Sequence, residues 1–313
     1  MQEFKHQTLN RRAFLNLMAL SVPAVFIENH WSSSTAVLPQ TKTKLGLNLG
    51  SVQDVLADRP METINTLTEI GVKVLEFSDV TLLKRLHPVL KGAGFEIPSS
   101  FFYSPYITGN WNPMEAFGMK IPVDLSFETV VASAARFGLS YLVMPGLFPE
   151  DRGGLDVYKK LAEKMNNAGE LCQQAGIQLC YHSYSYEFQP MENSSPMAVL
   201  LEYLDNGLVK LEADTFWMAI AGIDIMDFLS SNAARIPMVH LADVSANAPQ
   251  SYRAVTLPDE VYQPPGEGIL DFKEIMDFCK RDTVEYSFIH LEKATEPLSA
   301  VQKSVRYLKS LNP

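Results

Sequence analysis

From Lys44 onward, short apolar runs alternate with stretches whose apolar positions recur at helical spacing. A run of the first kind reads as a buried parallel strand, and the periodic stretch after it as the crossover helix that covers the sheet. The first strand is predicted over Leu45–Leu49, with a helix at Glu62–Ile70 that stops at Gly71. Val74–Phe77 follows, then a helix at Thr81–Leu90 before Gly92 and Gly94. The third strand, Ile97–Phe102, leads through an aromatic, Pro-rich loop (Tyr103–Pro122) to a helix at Ser126–Phe137. The fourth, Tyr141–Met144, precedes a helix at Leu155–Ala175 that ends at Gly176. The rhythm then repeats: Ile177–His182 and helix Pro196–Leu204; Val209–Asp214 and helix Ile225–Asn232. Ile236–Asp243 leads through a long loop, Val244–Gly268, to helix Asp271–Lys280, and Tyr286–Glu292 to helix Pro297–Leu311. Eight strands, each followed by a helix, predict an α/β fold: a single closed (β/α)8 barrel over residues 44–313. An open doubly wound sheet is the alternative, but no GxGxxG or P-loop opens any of the helices, which removes its usual nucleotide signal.

The first forty residues break this rhythm. Asn10-Arg11-Arg12-Ala13-Phe14-Leu15 is followed by a modest apolar run, Leu17–Ile27, and by the small polar stretch Ser32-Ser33-Ser34-Thr35-Ala36. A basic end, a short apolar segment and small residues make an export signal, and the run is shorter than the about 20 residues that span a bilayer. Arg-Arg-x-Phe-Leu resembles a twin-arginine signal, read as an address by a system that exports folded proteins. Residues 1–40 are therefore expected to be a signal peptide and linker, and the protein to be periplasmic or otherwise exported. With no Cys after the apolar run, no stable membrane anchor is expected.

Composition narrows the function classes. A net charge of −10 argues against a general nucleic-acid binder, which needs a basic surface to neutralise phosphates. The three cysteines, Cys172, Cys180 and Cys279, are too widely spaced for a CxxC metal box and read as buried core thiols.

Barrels of this kind place their chemistry at the C-terminal strand ends. Of six histidines, His182 closes the fifth strand, His240 lies near the end of the seventh and His290 near that of the eighth; Asp214 closes the sixth and Glu292 the eighth. Alternation puts Glu212 and Asp214 on one face, and His290 and Glu292 on one face. One such His is ordinarily a hydrogen-bonded structural residue. Four successive strand ends bearing His or carboxylate are harder to explain that way, because buried ionisable groups need partners. Converging His, Asp and Glu make a nitrogen–oxygen site for a divalent metal ion: Mn, Co, Mg or Zn.

Several segments resemble a known family. Tyr181-His182-Ser183-Tyr184-Ser185-Tyr186-Glu187-Phe188 is similar to the Tyr-His-Asn-His-Asp-Phe-Glu-Phe segment of bacterial sugar phosphate isomerase/epimerase-like proteins, a branch of the xylose isomerase-like TIM barrels. Leu211-Glu212-Ala213-Asp214-Thr215-Phe216-Trp217 resembles their Leu-Asp-Thr-aromatic-Trp strand, and Val239-His240-Leu241-Ala242-Asp243-Val244 their His-Leu-Lys-Asp-Val. Gly266-Glu267-Gly268 resembles their Gly-Glu-Gly turn. The ending from Glu292 through Pro297-Leu298 to Ser304-Val305-Arg306-Tyr307-Leu308 matches as well. The resemblance implies a metal held by His182, Asp214, His240 and an eighth-strand residue, either His290 or Glu292. Glu292 is preferred because a carboxylate better balances the ion's charge. The family's two-carboxylate epimerisation lacks its usual residues here: His182 and His290 stand at those positions, Tyr184 and Ser185 replace a His and an Asp, and Ala242 replaces a Lys.

The expected chemistry is metal-assisted proton abstraction next to the carbonyl of a sugar, giving isomerisation or epimerisation. Glu187, His290 and Glu212 are the candidate bases. Trp217, Glu76 and Glu267 are candidate substrate contacts, and Trp111, Phe101, Phe102 and Tyr103 candidate stacking surfaces. A lyase or dehydratase acting on a keto-sugar, keto-inositol or 3-keto-glycoside is one alternative, supported by a likeness of the Tyr-His segment to inosose dehydratases. A non-catalytic exported carbohydrate-binding protein is another.

Overall fold

The computed structural model describes residues 43–80, 83–116, 118, 126–253, 257–281 and 284–311; the leader expected over residues 1–40 lies outside them. Eight parallel strands close into the predicted barrel: β1 (Lys44–Asn48), β2 (Val74–Phe77), β3 (Glu96–Phe101), β4 (Tyr141–Pro145), β5 (Gln178–His182), β6 (Val209–Asp214), β7 (Met238–Leu241) and β10 (Tyr286–Ile289). Around the barrel the order is β1-β10-β7-β6-β5-β4-β3-β2. Among the described residues, no helix is long and apolar enough to cross a membrane.

Two strands are shorter than expected. The seventh starts at Met238 because Pro237 has no N–H for the ladder. It stops after Leu241 because the Thr215 hydroxyl takes over Ala242, accepting from its N–H at 2.9 Å and donating to its carbonyl at 2.6 Å. The chain then forms a separate antiparallel pair, β8 (Asp243–Val244) with β9 (Tyr262–Gln263). The eighth barrel strand ends at Ile289 rather than Glu292.

Outward side chains such as Leu47, Leu75, Leu142, Leu179, Leu211, Val239 and Ile289 join the surrounding helices in one continuous core. Inward side chains form layers. The lower one is apolar, with Val74, Tyr141, Val143, Cys180, Met238, Tyr286 and Phe288. Phe288 sits opposite Gly46, where a β-carbon would lie 2.7 Å from its ring and 2.9 Å from the Val74 carbonyl. Glycine at 46 thus lets a whole phenyl ring plug the barrel, a burial worth about 1.5–3 kcal/mol. Above the plug, the His240 ring meets Phe288 edge-on at 6.2 Å.

The long loop after β8 is anchored by one carboxylate. Asp243 Oδ2 accepts from Gly266 N and Gly268 N, each at 3.0 Å, while Oδ1 accepts from Val244 N at 2.8 Å and Leu270 N at 3.0 Å. A β-carbon on Gly268 would collide with that carboxylate and with the Val244 carbonyl. The Gly-Glu-Gly turn is therefore a backbone cradle for Asp243.

Candidate functional site

The strand register carries four side chains to one point. Asp214 on β6 lies beside His240 on β7, and His182 closes β5. His290 extends the eighth strand by one rung, its N–H donating to Leu241 O at 3.0 Å, so its ring keeps the inward facing of Phe288. The potential ligand atoms of His182, Asp214, His240 and His290 all lie within 4.8 Å of one another. Asp214 Oδ2 is 3.4 Å from His182 Nε2, 3.5 Å from His240 Nδ1 and 3.4 Å from His290 Nδ1, while the last two nitrogens are 3.1 Å apart. Atoms bound at about 2.1 Å around a tetrahedral zinc-like ion stand about 3.4 Å apart, so these spacings match the edges of a coordination polyhedron. The donor set of three imidazoles and one carboxylate fits a divalent ion of borderline softness.

Outer contacts orient these donors. Asp214 caps the helix Thr215–Ile220, its Oδ1 accepting from Trp217 N at 3.0 Å, which turns Oδ2 toward the histidines. Burial pushes the Asp214 carboxyl up, but its bonds with His182, His240 and His290 outweigh that and hold it well below its ordinary value. Burial pushes the His182 imidazole down, which keeps a lone pair free. His240 donates Nε2–H to Glu76 Oε2 at 2.6 Å, which turns Nδ1 inward. Burial pushes the His240 imidazole down, but Glu212, Glu76 and the bond with Asp214 hold it well above its ordinary value, so the Nδ1 proton would be displaced when an ion binds. Glu76 also accepts from Asn48 Nδ2 at 2.8 Å and from the Ser99 hydroxyl at 2.6 Å. A bulge between β2 and β3 sets Ser99, rather than its neighbours, opposite Glu76. Burial raises the Glu76 carboxyl, yet His240 and these bonds hold it at about 2. This carboxylate–histidine pair is the outer arrangement typical of metal-binding histidines.

Other expected residues lie elsewhere. Glu76 was a candidate for substrate hydroxyls, but it is fully buried and engaged by His240, Asn48 and Ser99. Glu212, a candidate base, is fully buried beneath the cluster, with Oε1 3.3 Å from His240 Nε2. The His240 proton points to Glu76, so neither Glu212 oxygen has a hydrogen-bond partner. Burial, and then the Glu76 charge, push Glu212 up to about 8, which leaves it protonated at neutral pH. Glu187 points away from the cluster: it accepts from the outward-facing Tyr181 hydroxyl and from Tyr184 N, and is fully buried. Trp217 is 2% exposed and packs on Phe216 and Tyr184, so it offers no open stacking face. Glu267 pairs with Lys303 at 2.8 Å on the surface.

The preference for Glu292 over His290 as the fourth ligand is reversed by the geometry. The ladder makes its last rung at His290, and alternation ends there. Leu291 N donates to Ser51 Oγ, and Glu292 swings to the rim, 30% exposed, with Oε1 3.9 Å from His290 Nε2. Phe101 and Tyr184, both part-exposed, flank the cluster: Phe101 stacks on His240 at 5.8 Å and Tyr184 meets His182 edge-on at 5.1 Å. Of the other stacking candidates, Phe102 is buried, Trp111 packs on Tyr106, and Tyr103 donates to Asp79 at 2.8 Å. The roles of Asn48 and Ser99 were not foreseen, although each puts a polar side chain at an inward position of its strand and so carried a signal.

A family profile described as xylose isomerase-like TIM barrel matches residues 69–311. An inosose dehydratase of Geobacillus kaustophilus is 29% identical over 150 residues, 46% of this chain and 47% of that protein. The chain thus spans about half the length of the first curated relatives it matches. A crystal structure of a sugar phosphate isomerase/epimerase from Parabacteroides distasonis superposes with a TM-score of 0.67 at 20% identity, over 89% of this chain and 96% of that one. The IolI protein with a bound zinc atom superposes with a TM-score of 0.61 at 12% identity, over 86% of this chain and 96% of that one. At these identities the structural likenesses show a common fold.

Proposed function

Given that the chain belongs to the xylose isomerase-like TIM barrel family, we propose that it is a divalent-metal-dependent enzyme that abstracts a proton beside the carbonyl of a sugar or sugar-derived polyol. The observation that carries this reading is the four-residue donor set at polyhedron-edge spacing, with Glu76 behind His240. An ion held by His182, Asp214, His240 and His290 would act as a Lewis acid on the carbonyl oxygen and a neighbouring hydroxyl. The nitrogen-rich set favours Zn, Co or Mn over Mg, which prefers oxygen ligands.

The base is a group of this chain at the open rim. Glu187 faces outward, Glu212 is sealed below, and His290 is taken up as a ligand. Glu292 is the carboxylate next to the cluster that a substrate can reach, and His290 Nε2–H is placed to steady it. Phe101 and Tyr184 offer ring faces to the apolar side of the sugar. One reachable carboxylate supports reactions that need one base: a 1,2-shift, in which Glu292 returns the proton to the neighbouring carbon, or a β-elimination, in which a hydroxide or alkoxide leaves with a proton. It does not support two-base epimerisation. The 29% identity to an inosose dehydratase favours the elimination.

NMR of the zinc-loaded protein with keto-sugars and inososes in D₂O tests this reading. Deuterium gain at the carbon beside the carbonyl supports proton abstraction, and loss of water or an aglycone selects the elimination. Sugar binding without exchange, in the protein and in a His182→Ala/His240→Ala variant alike, would leave only a carbohydrate-binding role. Export through the twin-arginine route, proposed from Arg11 and Arg12, would let the protein load its metal before leaving the cytoplasm.

A further inference from the structure

Beside the metal-ligand cluster, the loops after β1, β7 and the eighth strand enclose a groove of about 760 Å³. Leu291 and Glu292 line it, and Glu292 Oε1 lies 3.9 Å from His290 Nε2 of the cluster. One sugar ring on the donor set would leave this volume vacant, although it falls in the about 300–1,000 Å³ range of small-molecule sites. Its walls are rich in carboxylates, among them Asp54, Glu260, Glu292 and Glu296. Its two lysines are neutralised: Lys293 pairs with Asp259 and Lys303 with Glu267. Tyr262 also lines it, its ring stacked on Phe216 at 4.7 Å, with Lys293 Nζ over it at 5.4 Å, and is thereby held in place.

Carboxylates accept hydrogen bonds from hydroxyls strongly, and a fixed aromatic ring adds apolar surface to the wall beside a pyranose. A phosphate would meet the same carboxylates as like charges with no unpaired lysine to offset them. In this barrel type the loops after strands seven and eight frequently build a phosphate site. Here those loops supply Glu260, Glu292 and Glu296 instead.

We propose that this groove is a subsite for a second, uncharged sugar unit, so that the substrate is a neutral glycoside-like compound and phosphate esters are rejected. The proposal rests on the metal-site reading for the position of the first unit. Calorimetric titration of the zinc-loaded full chain with glucose, glucose 6-phosphate, and the disaccharides cellobiose, maltose and trehalose tests it by binding alone. At least one disaccharide should bind at least tenfold more tightly than glucose, and glucose 6-phosphate more weakly than glucose. Tyr262→Ala should remove the disaccharide gain. Glu260→Lys/Glu296→Lys should improve glucose 6-phosphate binding at least tenfold while zinc affinity stays unchanged. Tightest binding of the phosphate ester by the unaltered protein, or no gain from any second sugar unit, would overturn the proposal. Disaccharide binding without deuterium exchange would uphold the groove and sink the catalytic reading; exchange with a monosaccharide and no disaccharide gain would do the reverse.

Discussion

Replacing Glu76 by Gln isolates the electrostatic support of the metal site. The amide can keep the contacts: its oxygen can accept from His240 Nε2–H and Asn48, and its NH₂ can donate to the Ser99 hydroxyl. What is lost is the negative charge that makes His240 a stronger donor. Removing outer partners of metal-bound histidines costs about 10–100-fold in affinity. The structure places this variant at the lower end, because Glu212 lies 3.3 Å from His240 Nε2 and is kept protonated partly by the Glu76 charge. Without that charge Glu212 ionises more readily and substitutes in part. Glu76→Gln should therefore weaken zinc binding about 10-fold, and Glu76→Gln/Glu212→Gln about 100-fold. With free metal at 100 times the unaltered Kd, binding adds about 2.7 kcal/mol; a tenfold weaker site retains about 1.4 kcal/mol. At about 2–4 °C per kcal/mol for a domain of this size, the zinc-induced rise in Tm should shrink by about 3–5 °C in the single variant. Comparing Tm with and without chelator for each protein removes any change in the metal-free fold. Equal zinc affinity in all three proteins would refute the idea that Glu76 supports a bound ion.

Three further outcomes are expected. His290→Ala should abolish stoichiometric zinc by elemental analysis, whereas Glu292→Gln should keep its zinc and lose about 10²–10⁴-fold in kcat; the opposite pattern would restore Glu292 as the ligand. Glu187, pushed up to about 7 chiefly by burial, binds a proton in the folded chain at pH values where the unfolded chain, near 4.5, has lost it. Its contribution to stability therefore falls as pH rises from about 4.5 to about 7, by about 3 kcal/mol, and urea unfolding in chelator should show a fall smaller by that amount in Glu187→Gln, where Glu212 still contributes its own. Arg11→Lys/Arg12→Lys should hold the protein in the cytoplasm on cell fractionation; unchanged export would remove the twin-arginine reading.

Most of the barrel was legible because both faces of each strand are apolar except where a polar residue interrupts them. His182, Asp214 and His240 stood out for that reason, and alternation alone put them on the inside. The misplaced residues mark where alternation stops. Leu291 continues the apolar pattern, so nothing local showed that the ladder ends at His290 and frees Glu292 to reach the rim. Glu187 follows a strand but belongs to a 3-10 turn that closes back on the outward-facing Tyr181. Glu76 was readable as inward from Val74, yet its role depends on His240, 164 residues away, and on a β-bulge. Those contacts arise from closure of the barrel, which no local window contains.

The Asp243 cradle bears on how such a protein can change its diet. The chain leaves the barrel after Leu241 and reaches the next helix at Phe272, and the Asp243 carboxylate clamps both ends of that excursion. Its described residues supply none of the four cluster side chains, although they contribute Glu260 and Tyr262 to the groove. For an excursion already closed, doubling its length adds only about 0.6 kcal/mol of entropy cost. Insertions and replacements there are therefore expected to reshape the groove while leaving His182, Asp214, His240 and His290 in place, so the loop can vary as a cassette independent of the cluster.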